Sequence, residues 1–74
     1  MLPDKIVYMA NQIATFFESQ PEQDRLEGVV THLEDFWDPR MRRQLFELID
    51  AGGKDLSPLI IEAASHLKRP RQTA

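Results

Sequence analysis

The sequence predicts an all-α fold, a small bundle or array of three to four short helices, and three observations carry that expectation. Apolar residues recur at the three-and-four spacing of a helix face along most of the chain. A proline stands near the start of each such block, where its fixed φ suits a first helical turn. Nothing alternates with the period of two that a strand face requires, and there is neither an internal repeat nor a low-complexity tract.

The first helix is expected over residues 3–18, opening on Pro3 and burying Ile6, Met9, Ala10, Ile13, Phe16 and Phe17. Ser19 and Glu22 have capping-box spacing around Pro21, so a second helix should start there and run to Phe36, with Leu26, Val29, Val30, Leu33 and Trp37 on one stripe. Asp38-Pro39 is the next start signal, because the carboxylate can accept from unpaired N–H groups while the proline ring fits the first turn. The third helix carries Met41, Leu45, Leu48 and Ile49 and should stop at Gly52-Gly53, where a glycine can take the left-handed conformation that closes a helix. Ser57-Pro58 opens a fourth, with Ile60, Ala63, Ala64 and Leu67 inward, while Phe46, Leu59 and Ile61 lie at stripe edges. Residues 1–67 thus read as one helical domain and 68–74 as a basic, flexible tail.

Composition narrows the function. With 74 residues, 42% apolar and 28% charged, the chain suits one small globular unit and excludes a multi-domain enzyme. A core from so short a chain leaves a margin of about 3–5 kcal/mol, which small proteins supplement with disulfides, metals or partners. There is no cysteine, so disulfides and thiolate metal sites are out and a partner is the expected supplement. No stretch is long and apolar enough for a membrane span, and the start lacks a basic region followed by an apolar run. A soluble, cytoplasmic protein is therefore expected. The net charge of −3 is unevenly spread: residues 4–38 carry eight acids against Lys5 and Arg25, and residues 39–74 carry seven bases against four acids. Such asymmetry favours an oriented protein partner over nucleic acid, which draws a domain-wide basic balance.

Catalytic parts are scarce. Serines occur only at positions 19, 57 and 65, and Ser65 and His66, adjacent on a helix, point about 100° apart, a poor geometry for a nucleophile and its base. His32 with Asp35, and His66, match no metal-site spacing, and neither a cofactor nor a metal is expected on this chain. The cluster Arg40, Arg42, Arg43 reads first as a solvated helix face.

Two segments depart from a lone bundle. Residues 6–17 contain no charge, and Tyr8, Asn11, Gln12 and Thr15 fall opposite the core stripe, the composition of a contact centre more than of a free surface. Phe36, Trp37, Asp38, Arg40, Met41 and Arg42 gather two aromatics and two arginines around a rigid turn, and Trp and Arg are favoured binding anchors. Trp37 equally continues the second helix's seam and could plug the core.

The strings themselves are similar to those of a known family. Met9-Ala10-Asn11-Gln12-Ile13-Ala14 with Phe16-Phe17, Ser19-Gln20-Pro21, Phe36-Trp37-Asp38-Pro39-Arg40-Met41-Arg42, Ala51-Gly52-Gly53, and Leu56 through Glu62-Ala63 follow one another over residues 5–67. In that order they resemble the delta subunit of NAD-dependent, molybdenum-containing formate dehydrogenase. The resemblance implies an accessory protein of a cytoplasmic complex that oxidises formate and passes electrons to NAD. It also implies that molybdenum cofactor, iron–sulfur clusters and flavin reside in larger subunits, and that this chain docks on the large molybdenum-bearing subunit to stabilise it or assist its assembly. The family supplies no catalytic residues. Its matching positions Asn11, Gln12, Trp37, Asp38, Arg40 and Arg42 coincide with the two contact segments. Competing readings are a transient factor for cofactor insertion and a nucleic-acid-binding regulator using the arginines and tail. Self-association of the isolated chain through its apolar surface is also expected.

Overall fold

Why the chain turns where it does follows from its prolines and glycines. The computed structural model describes residues 2–68, with helices α1 (Pro3–Glu18), α2 (Glu22–Phe36), α3 (Pro39–Asp50) and α4 (Pro58–Ala64) and no strand among them. From residue 69 onward the basic tail lies outside the described residues. Pro21 disfavours helical backbone at the residue before it and so ends the first helix. Asp38, extended at φ −76° and ψ 166° ahead of Pro39, accepts a hydrogen bond from the Met41 amide at 2.8 Å and caps α3. Ser57 does the same for α4, its Oγ accepting from the Leu59 amide at 3.2 Å.

The end of α3 is a Schellman closure. Gly53 N–H bonds the Leu48 carbonyl at 2.9 Å and Gly52 N–H the Ile49 carbonyl at 3.0 Å. Both glycines have positive φ, 119° and 67°, backbone that a side chain would strain. Asp55 follows at φ 67°, so the chain reverses within a few residues and feeds Ser57 into α4.

α1 is the hub, packing against each of the other three helices, and α2 also packs against α4. The buried cluster takes Ile6, Ala10 and Ala14 from α1, Val29 and Leu33 from α2, then Trp37, and Leu45 and Phe46 from α3. Leu56, Ile60, Ala63, Ala64 and Leu67 complete it, so the short fourth helix closes the core. Fully burying an Ile or Leu is worth about 1.5–3 kcal/mol, a sizeable share of a small domain's margin. Leu67 is reached past the end of α4 by i→i+3 turns, His66 N–H to Ala63 and Leu67 N–H to Ala64.

Three local expectations need correction. Ser19 does not cap α2: its Oγ donates to the Phe16 carbonyl at 2.7 Å, and Pro21 holds the N-cap position with no side-chain bond. Placing Pro21 at the N-cap leaves Ser19 two residues too far back to form the box. Phe46 is buried rather than marginal. Phe16 leaves the core and is 60% exposed, because the covered arc of α1 is turned toward Ala14 and Asn11.

Candidate functional site

The ten residues singled out from the sequence divide by what they touch. Asn11 is an internal staple. Its Nδ2 donates to the Asp55 carbonyl at 2.7 Å and its Oδ1 accepts from the Ser57 amide at 2.8 Å, tying α1 to the turn that launches α4. Asn is a poor residue for a helix interior, so a tertiary partner is a sufficient reason for its presence there. Thr15 Oγ1 donates back to the Asn11 carbonyl at 2.9 Å. Tyr8 and Gln12 are exposed. With Phe16 they fall four residues apart, one row along α1 that carries no charge.

In the second segment the turn is built from inside. Trp37 is 4% exposed and belongs to the core. Asp38 is the cap of α3 already described. Arg42 is half-buried, and its Nη1 donates to the carbonyls of Leu33 at 3.1 Å, Glu34 at 3.3 Å and Trp37. These are last-turn and C-cap acceptors of α2, a helix with no basic residue in its own last turn. A cation there supplies a donor to the Glu34 and Trp37 carbonyls, adds one to the Leu33 carbonyl that also accepts from the Trp37 amide, and opposes the negative end of the helix dipole. Met41 is half-buried, while Arg40 and Phe36 are exposed, Phe36 to 74%.

Two surface groups therefore remain: the Tyr8–Gln12–Phe16 row, and Phe36 with Arg40. Phe36 lies against the His32 ring, centroids 4.9 Å apart, and Phe16 meets Phe17 edge-on at 5.0 Å. Sequence reasoning missed Phe16, Phe17 and His32. The signal for Phe16 was its place in the four-spaced row with Tyr8 and Gln12.

Potential catalytic groups are engaged locally. The Ser19 and Ser65 hydroxyls donate to backbone carbonyls three residues earlier, at 2.7 and 2.6 Å, and the Ser57 hydroxyl is a helix cap. No group of three or more His, Cys, Asp or Glu able to hold a metal occurs among the described residues, and no helix among them is long and apolar enough to cross a membrane. Arg42's inward course leaves only Arg40 and Arg43 of the arginine cluster exposed.

No curated protein and no solved structure shows significant similarity to the chain. One family model does match, over residues 5–64, and its span takes in all four helices apart from the first two residues of α1. The chain therefore belongs to the family described as the NADH-dependent formate dehydrogenase delta subunit, FdsD.

Proposed function

We propose that the chain is a non-catalytic accessory subunit of a cytoplasmic, NAD-dependent molybdenum formate dehydrogenase, docking on the large molybdenum-bearing subunit to stabilise it or assist its assembly. Family membership supports the complex. The observation that carries docking is the exposure of Tyr8, Phe16 and Phe36, three of the chain's six aromatic residues, beside a closed core. Large aromatics are costly to leave in water and are favoured at contact centres. A chain without cysteine offers no thiolate for the iron–sulfur clusters such enzymes use, which supports assigning the redox groups to other subunits. The contact residues of this reading are the exposed ones whose side chains make no internal hydrogen bond among the described residues, Tyr8, Gln12, Phe36 and Arg40, with Phe16 beside them.

The test is purification of the complex from the native host through a tag on the large subunit. Stoichiometric delta chain in the active enzyme is expected. Its absence from the active enzyme, with recovery only from cofactor-free precursor, would transfer the assignment to a transient assembly factor. Its absence from both would refute docking.

A further inference from the structure

A shallow groove between the end of α1 and α2 has Gly28 in its lining. A Cβ built there would lie 2.4 Å from Phe17 Cε1, so the Phe17 ring occupies the space that a side chain would take and α1 approaches α2 closely. Phe17, His32 and Phe36 line the groove with the carboxylates of Asp24 and Glu27. Phe16 joins its aromatic end through the edge contact with Phe17, which makes the groove continuous with the uncharged Tyr8–Gln12–Phe16 row.

The electrostatics are one-sided. Asp24, Glu27 and Asp35 share an α2 stripe at helical spacing and are exposed. No Lys or Arg among the described residues lines the groove. Arg25, the base of α2, is turned away: its Nε donates to the Gln20 carbonyl at 2.9 Å, and it lines a separate depression with Glu22 and Glu62. Aromatic surface flanked by unanswered carboxylates fits an occupant with an apolar anchor and cationic flanks, since complementary charge steers encounter and fixes register.

We infer that this groove is where the chain receives its partner, and that the occupant is a segment of the large subunit carrying an apolar side chain flanked by Lys or Arg. The inference rests on the accessory-subunit reading above. The apolar anchor packs on Phe36, Phe17 and the open ring of His32, and the flanking cations meet Asp24 and Glu27.

The experiment measures affinity of the full-length chain for the purified large subunit of the same complex at several salt concentrations. The variants are Phe36→Ala, the pair Asp24→Asn with Glu27→Gln, and Glu47→Gln on α3 as a control. Phe36 is exposed, so its variant should keep the wild-type melting curve. Expected are a weakening of about ten-fold or more for Phe36→Ala, as for a contact anchor, and a flatter salt dependence for the carboxylate pair with Glu47→Gln unchanged. Wild-type binding that neither groove change alters would overturn the groove while leaving the accessory role standing. Failure of the wild-type chain to bind the large subunit at any salt would overturn both. A dimer of this chain that Phe36→Ala dissociates would make a second copy the occupant and overturn the inference.

Discussion

Removing the Asn11 side chain measures how far the fold depends on one staple. In Asn11→Ala two hydrogen bonds vanish, to groups 44 and 46 residues along the chain. At about 1 kcal/mol net each, they account for about 2 kcal/mol. Ser57 N–H is partly buried and is left without its acceptor, which adds about 1 kcal/mol. Alanine returns about 0.7 kcal/mol through its better helix propensity. The net loss is about 2 kcal/mol, against a margin of about 3–5 kcal/mol for a domain this small. For 60–100 residues each kcal/mol moves the midpoint by about 4–8 °C, so the isolated variant should melt about 8–16 °C below wild type. Differential scanning calorimetry of both proteins reads this directly. A midpoint within about 2 °C of wild type would refute the staple, since that is below the shift expected for even one kcal/mol.

Substitutions at two further positions probe the same architecture. Gly28→Ala places a methyl group in the volume of the Phe17 ring, and overpacking of about 1–3 kcal/mol should outweigh the gain of about 1 kcal/mol in helix propensity. A raised melting temperature would contradict so close an approach of α1 to α2. Arg42→Met removes the cation from the α2 carbonyls and should cost about 1–2 kcal/mol, with Arg42→Lys recovering only part because an ammonium lacks the planar fork. Equal denaturation midpoints for Met and wild type would mean that water serves those carbonyls as well.

Helix number and boundaries were legible because proline and glycine act locally. Pro39 and Pro58 with Asp38 and Ser57, and the Gly52-Gly53 closure, each act through backbone within one turn. What the helical period does not carry is which flank a neighbour covers. It gave the α1 stripe from Ile6 to Phe17, yet the turn at Asp55 folds back over Asn11, which rotates cover toward Ala14 and leaves Phe16 outside. In the contact segments, Asp38 was readable as a cap from its place before Pro39. The fate of Arg42 was not, because it depends on the angle at which α3 leaves α2. For Trp37 the seam with Leu33 pointed inward and its residue type pointed outward, and burial decides for the core.

The two family-like strings therefore mix two jobs. In the first, Asn11 holds the α4 turn while Gln12 beside it faces out; in the second, Trp37, Asp38 and Arg42 build the turn while Phe36 and Arg40 are left on its surface. Loss of a partner after changing a buried member would report unfolding as readily as lost contact. Only the outward members can separate the two, since altering an exposed side chain without internal hydrogen bonds shifts stability by about 0.5 kcal/mol or less. Proposed contacts and folding staples are thus interleaved along the chain yet separable on the molecule: the Asn11 and Arg42 staples end on backbone groups of Asp55, Ser57 and α2, while the Tyr8, Phe16 and Phe36 rings are exposed.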